Sequence, residues 1–377
     1  YSYRNPYLQA WLQRLPRGRL YSADGELLAV SHPTAEDYAR VGEHAPGFLP
    51  TLRRLDAAGR RAYPLGEDAA QLVGWMGAER YYDRPASLEI ACEGLLRGYR
   101  DRELPFLFRS RLNPFARKPH PVNVETTISA RLQRRASALL REAVRRAGSG
   151  TGGAVLLLEA DSGRVLAAAT APTFDPNQLT AERMRRYLRE HRRTGILTNK
   201  ALDPEARAFP GSTFKLLTLA AALAAMPDGS VECVGSNRQP IRWRLGNQRR
   251  QRPAGRIRDS GPHGGFDLAA DYRQALAVSC NVYFATLAAA IGAERLHELL
   301  VRAEFGGAPD VAALGEYLPE AGFGQVVVRS SPVELARFVA AIARAGEEAG
   351  RPHWIHATLD RGERRRAADA IGAPDDR

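Results

Sequence analysis

Residues 209–223 constrain this chain more than any other stretch. Phe209-Pro210-Gly211-Ser212-Thr213-Phe214-Lys215 runs straight into Leu216-Leu217-Thr218-Leu219-Ala220-Ala221-Ala222-Leu223. Pro-Gly marks a tight turn. The Leu and Ala residues after it, with no Gly or Pro before Met226-Pro227, favour helix. The chain therefore bends sharply and then commits to a strongly apolar helix. Ser212 falls at or near the helix start, where backbone N–H groups are unpaired and the dipole is positive. Lys215 follows one turn later on the same face, within reach of the Ser hydroxyl. A hydroxyl becomes a nucleophile beside a base, and a Lys whose charge is disfavoured by burial can be that base.

The same spacing would arise from a capping Ser and an ordinary first-turn Lys. With 16 Ser and 3 Lys in 377 residues, a Ser-x-x-Lys turns up by chance in roughly one such sequence in eight. Composition argues against coincidence. Of 54 basic residues only Lys118, Lys200 and Lys215 are Lys. Arg cannot give up its proton, so a Lys followed by eight uncharged residues stands out.

A length of 377 residues suggests two domains, and 44% hydrophobic with 25% charged residues suits a globular chain with a sizeable core. The formal charge of +12 favours acidic partners. No nucleic-acid motif is present and the Arg residues are scattered, so nucleic acid is not expected as a partner. Cys92, Cys233 and Cys280 are an odd number without metal-site spacing; each reads as a small buried hydrophobe, and neither cofactor nor metal is expected. The longest apolar stretch, Leu216 to Met226, has the length of a core helix and not of a membrane span. The chain starts at Tyr1 without Met, and an N-terminal anchor cut from it is the expectation.

Along the chain, residues 1–15 form an amphipathic lead-in. Asp24-Gly25 between short apolar stretches predicts a hairpin. Residues 33–60 carry no clear pattern, Ala69 to Met76 and Glu89 to Gly98 look helical, and the Pro-rich residues 104–121 read as a connector. Thr126-Thr127-Ile128 predicts a strand, then Ser129 caps a long helix to Val144. Gly152-Gly153 opens a buried strand, Ala154 to Glu159, which returns through Asp161-Ser162-Gly163 as Arg164 to Ala169. Residues 181–193 form a basic, solvated helix. Residues 227–265 read as loop, and Phe266–Ile291, Ala293–Val301 and Val333–Ala345 as helix. The fold class is α+β.

Ser279-Cys280-Asn281 interrupts the apolar helical stretch downstream. A Ser-x-Asn arises by chance in roughly one sequence in three, and a capped break between two helices would explain it. Its place after the Ser-x-x-Lys helix suggests instead a polar turn facing a cleft. Ser279 could relay a proton between Lys215 and a leaving amine, and Asn281 offers a donor and an acceptor to a peptide amide. His263, in a Gly-rich loop, reads as a loop anchor. Asp161 and Asp175 read as turn residues, Glu334 as a first-turn acid, and Trp243 and Trp354 as packing or groove-lining residues.

Ser-x-x-Lys followed by Ser-x-Asn resembles the signature of penicillin-binding proteins and serine β-lactamases. The chain resembles the class B penicillin-binding proteins over most of its length. Arg17-Gly18, Asp24-Gly25 and Leu28-Ala29, Arg61-Ala62-Tyr63-Pro64, and Leu95-Leu96-Arg97-Gly98 are similar to that family's N-terminal module. Thr126-Thr127-Ile128 through Gln133, Gly153 through Gly163, and Pro172-Thr173-Phe174-Asp175-Pro176-Asn177 are similar to the first part of its transpeptidase domain. Gly322-Phe323-Gly324-Gln325 and Ser331-Pro332-Val333-Glu334-Leu335-Ala336 are similar to stretches after Ser-x-Asn.

The resemblance implies an elongated N-terminal partner-binding module over residues 1–120 and a transpeptidase domain over 121–377. That domain would combine an antiparallel sheet covered by helices with an all-helical part. It implies a peptidoglycan D,D-transpeptidase of cell elongation or division, inhibited by β-lactams, acting at the outer face of the inner membrane. Ser212 would attack the D-Ala-D-Ala carbonyl of a stem peptide with Lys215 as general base. Ser279 would carry the proton to the leaving group, Asn281 would hold the peptide, and the Ser212 N–H would supply half of the oxyanion hole. A membrane glycosyltransferase is the implied protein partner. The family's third motif, Lys-Thr/Ser-Gly, is not found between Gln325 and Arg377; Arg193-Thr194-Gly195 precedes the nucleophile and is a decoy. The expectation is a chain that ends before that motif. The alternatives are an inactive scaffold that partners the glycosyltransferase, or a relative of the β-lactam sensors and β-lactamases.

Overall fold

The computed structural model describes residues 17–76, 87–98, 120–148 and 152–344. The lead-in at 1–15, nearly all of the 104–121 connector and Trp354 lie outside these residues. The described residues up to Asp203, with Val339–Arg344, cluster as one compact unit, and Pro204–Phe338 as a second.

The first unit starts from the predicted hairpin. Strands β1 (Leu20–Tyr21) and β2 (Leu27–Ala29) pair antiparallel, and β3 (Val124–Glu125) joins β1 in parallel. The third strand thus precedes the expected Thr126-Thr127-Ile128; Thr126 Oγ1 instead donates to the Tyr21 carbonyl at 2.9 Å. Residues 33–60, without an evident pattern, form α1 (Ala35–His44) and α2 (Leu49–Ala57). The missed signal was the capping box of Thr34 and Asp37 at the start of α1. Short helical turns occupy Ala70–Val73, Leu88–Ala91 and Glu93–Arg97.

Helix α3 (Ala130–Ala147) starts where Ser129 caps it. Asp24 of the hairpin turn reinforces that cap, accepting from the Ala130 N–H at 2.8 Å and from Ser129 Oγ at 2.9 Å. Leu132, Ala136, Leu140 and Val144, four residues apart on α3, pack on Ala167, Ala169 and Ala171. These Ala residues lie on β5 (Val165–Ala171), antiparallel to β4 (Gly153–Leu158). β5 is the buried member; β4, expected to be buried, is half-exposed along its length, with Leu157 open to solvent. Continuous apolar runs do not reveal which of two paired strands faces the core. Helix α4 (Ala181–Thr194) is solvated apart from Tyr187 and Thr194, as its basic composition predicted, and Arg193-Thr194-Gly195 is simply its C-terminus.

Three sequence stretches far apart converge here. Glu89, 3% exposed, accepts from Arg17 Nε at 2.9 Å and from Arg61 Nε, while Arg17 also pairs with Glu93 at 2.6 Å. Asn177 brackets Tyr63, with Oδ1 accepting from its N–H at 2.9 Å and Nδ2 donating to its carbonyl at 2.8 Å. Gly18 leaves no room for a side chain, because a Cβ would sit 1.9 Å from the Val122 carbonyl oxygen.

In the second unit, residues 227–265 are not loop. They carry β6 (Ser230–Ser236), β7 (Ile241–Leu245), β8 (Gln248–Arg252) and much of β9 (Arg258–Asp267), paired β6–β9 and β7–β8. Few apolar residues mark these ribbons, so their alternation is hidden among Arg, Gly and Gln. Trp243 of β7 is packed, not groove-lining: it is buried and its Nε1 donates to the Gly315 carbonyl at 2.6 Å. The other elements are α5 (Lys215–Leu223), α6 (Tyr272–Ala277), α7 (Asn281–Ile291), α8 (Ala293–Arg302), α9 (Val311–Glu316) and, as far as Phe338, α10 (Pro332–Ala343). Helix α7 is apolar on nearly every side and forms the centre, with Val282, Tyr283, Phe284, Ala285, Leu287 and Ala288 buried. The small sheets and many helices are the expected α+β class.

Candidate active site

A 3₁₀ turn over Gly211–Phe214 leads into α5. Gly211 has φ +59° and donates its N–H to the Gly324 carbonyl at 3.1 Å. Gly324, at φ +74°, is equally constrained: a Cβ there would lie 2.3 Å from the Gly211 oxygen. Residues 322–325 are therefore the partner of the Ser212 turn. Thr218 Oγ1 of α5 donates to the Gly322 carbonyl at 2.8 Å, and Ala208 pairs with Ser330 through an antiparallel bridge. Glu334 does more than complement the α10 dipole. It accepts from the N–H groups of Ser331 at 2.7 Å and Gly306 at 3.0 Å.

Side chains three apart on a 3₁₀ turn eclipse one another, so Ser212 and Lys215 share a face. Their environments differ. Ser212 is exposed and Lys215 is fully buried. Lys215 Nζ donates to three oxygens of the turn between α6 and α7: the Ser279 carbonyl at 2.6 Å, Ser279 Oγ at 2.9 Å and Asn281 Oδ1 at 2.7 Å. Among the described residues it makes no hydrogen bond to Ser212, which the spacing alone had suggested. The ring of Phe284 lies below the ammonium, its centroid 5.6 Å away.

The Ser279 carbonyl reaches Lys215 because Ser279 adopts a left-handed backbone, φ +54°, which a non-glycine residue holds only under outside constraint. Asn281 is fixed at the same time, its Nδ2 donating to the Arg258 carbonyl at 3.0 Å and its N–H to Asp259 Oδ2 at 2.5 Å. Burial lowers the Lys215 pKa below its ordinary value of 10.5, while the Asp259 carboxylate and then Cys280 pull the other way. The result is an ammonium surrounded mostly by neutral oxygens, with its proton loosened.

Sequence spacing missed a second cluster beside this turn. Cys233 (β6), Asp259 and His263 (β9) and Cys280 (start of α7) place one ligand atom each within 4.8 Å of one another. The four residues come from three elements, so no local motif announces them.

A family model described as the penicillin binding protein transpeptidase domain matches residues 153–369. The chain therefore belongs to the penicillin-binding protein transpeptidase family. It is 31% identical over 309 residues to the peptidoglycan D,D-transpeptidase PbpA of Mycobacterium tuberculosis, covering 76% of this chain and 58% of that protein. It is 28% identical over 320 residues to PbpA of Mycolicibacterium smegmatis, covering 78% and 60%. The structure of penicillin-binding protein A from M. tuberculosis as a penicillin G acyl-enzyme complex aligns with a TM-score of 0.61 at 27% identity, over 91% of this chain and 74% of that one. The chain thus spans less than two thirds of the length of these PbpA relatives.

Proposed function

We propose that this protein is a serine-type D,D-transpeptidase that cross-links peptidoglycan stem peptides through an acyl-enzyme on Ser212. The observation that carries the reading is the buried Lys215 ammonium, which shares a face with Ser212 and bonds both Ser279 Oγ and Asn281 Oδ1. In its neutral form Lys215 accepts the Ser212 proton as Oγ attacks the carbonyl of the penultimate D-Ala. Ser279, already bonded to Lys215, passes that proton to the departing D-Ala amine. Asn281 aligns the peptide, and the amine of a second stem then attacks the ester and frees Ser212. The Lys215–Ser212 contact tightens only when substrate fills the site, as is common for catalytic hydrogen bonds.

The relatives, named as peptidoglycan D,D-transpeptidases, support the substrate class, and the acyl-enzyme complex of one of them supports β-lactams as inhibitors. On this reading residues 1–120 are a partner-binding module for a membrane glycosyltransferase and 121–377 the transpeptidase domain, at the outer face of the cytoplasmic membrane. Among the described residues no helix is long and apolar enough to cross a membrane. The test is labelling with a fluorescent β-lactam, using the protein as the cell makes it. Covalent labelling that disappears in Ser212→Ala is expected. A wild-type protein that never labels would leave the scaffold reading in its place, and a rapidly hydrolysed adduct would favour a β-lactamase.

A further inference from the structure

We propose that Cys233, Asp259, His263 and Cys280 form a tetrahedral zinc site that braces the Ser279–Asn281 turn. The donor set is two sulfurs, one imidazole nitrogen and one carboxylate oxygen, a combination that suits Zn²⁺. The spacing fits as well. Zinc bonds of about 2.0–2.3 Å at tetrahedral angles set ligand-to-ligand edges of roughly 3.3–3.8 Å. Cys233 Sγ lies 3.7 Å from His263 Nδ1 and 3.9 Å from Asp259 Oδ2, and His263 Nδ1 lies 3.6 Å from Asp259 Oδ2. Cys280 Sγ falls within the same 4.8 Å group.

The surroundings are those of a structural metal site. Both cysteines are fully buried, and the Asp259 and His263 side chains are 3% and 15% exposed. Outer hydrogen bonds already orient two of the donors. The Tyr283 N–H points at Cys280 Sγ at 3.3 Å, and the Asn281 N–H at Asp259 Oδ2 at 2.5 Å. Such outer partners fix ligand geometry. Binding would release the thiol protons to solvent, since thiolate is the ligating form.

The location gives the ion a task. Cys280 is the central residue of the turn whose two neighbours, Ser279 and Asn281, hold Lys215. Asp259 anchors the Asn281 backbone. An ion bound to both residues would tie that turn to β6 and β9, supplying the constraint that the left-handed Ser279 backbone requires. Occupancy stands apart from the transpeptidase reading; only the effect on Ser212 rests on it.

The experiment begins with elemental analysis of the protein purified without chelator. About one zinc per chain is expected, as for a structural site with four protein ligands, with loss of the metal in His263→Ala and in Cys233→Ala. Exchange into Co²⁺ keeps the test independent of variant folding: the wild-type protein should gain thiolate-to-cobalt charge-transfer absorption and the intense visible bands of tetrahedral cobalt. Stripping the metal should slow β-lactam acylation about tenfold or more, the scale of disturbed metal-site support, and zinc should restore it, as should Cys233→Asp reloaded with zinc. A protein that binds neither metal, or a Cys233–Cys280 disulfide found by mass after thiol alkylation, would overturn the site. Normal acylation of the stripped protein would overturn the bracing role alone. If no β-lactam reacts at all, metal content and the cobalt spectrum still decide occupancy.

Discussion

Each unit of this protein buries cationic side chains, and the two do so in opposite ways. Around Glu89, the guanidinium groups of Arg17 and Arg61 meet carboxylates directly. Those charges push the Arg17 pKa up against the effect of its burial and hold Glu89 below its ordinary value. Around Lys215 the direct partners are a carbonyl, a hydroxyl and an amide, and desolvation lowers the pKa. Arg in the first place and Lys in the second match these environments. An ion-paired cluster holds its protons and fixes geometry, whereas a desolvated ammonium among neutral oxygens is able to release one.

The largest test of this contrast is Lys215→Arg. It keeps the charge but removes the neutral base form, and acylation of Ser212 by a β-lactam should fall by roughly 10²–10⁴-fold, the usual worth of a general base. Stopped-flow acylation against pH gives the companion result. The wild-type rate should rise with pH through a Lys215 pKa below 10.5, because only the neutral amine accepts a proton; the Arg variant should lack that limb. Next comes Glu89→Gln, which takes from Arg61 its carboxylate partner and leaves Arg17 paired with Glu93 alone. Removing one partner of a buried ion pair costs about 3–5 kcal/mol, measurable by urea denaturation. A cost below about 1 kcal/mol would show that this cluster is not the stabilising ion pair its geometry describes.

Gly324→Ala probes the wall behind Ser212. Its Cβ would meet the Gly211 oxygen at 2.3 Å and Phe214 Cβ at 2.7 Å, so overpacking of about 1–3 kcal/mol is expected, together with slower acylation. An unchanged rate would mean that the Ser212 turn is positioned without residues 322–325. The smallest effect belongs to Asp24→Asn, at the α3 cap, about 1 kcal/mol by analogy with other caps. Burial alone would raise the Asp24 pKa. Hydrogen bonds from Ser22, the Ala130 and Arg131 backbone and Ser129 outweigh it and lower the value to about 2. This carboxylate therefore contributes stability above pH 3.8 that is lost as pH falls from 3.8 through about 2. Thermal melts across that window should show a steeper acid loss in wild type than in Asp24→Asn.

Local chemistry was legible in the sequence, and assembly was not. Ser129, the Asp24-Gly25 hairpin and the basic α4 could be read because each rests on signals a few residues apart. The Ser-x-x-Lys and Ser-x-Asn turns were visible for the same reason. That Lys215 reaches the Ser279 carbonyl could not be read, since it depends on a left-handed serine that no propensity favours. The ribbons β6–β9 were hidden by their polar composition. Cys233, Cys280 and His263 were each read alone and Asp259 was not singled out, because only the β6–β9 pairing and the start of α7 bring the four together.

The contacts that build the site also bear on how the protein acquires it. Lys215 and Ser279 are 64 residues apart in the chain, and Thr218 and Gly322 are 104 apart. The Ser212 turn therefore cannot be completed by its own helix. Closing such long loops costs entropy before any contact repays it, and folding slows as contacts become less local. A chain emerging from synthesis would display Ser212 long before Gly322 and Gly324 exist to hold it, so the Ser212 turn is completed only after residues 322–324 have been made.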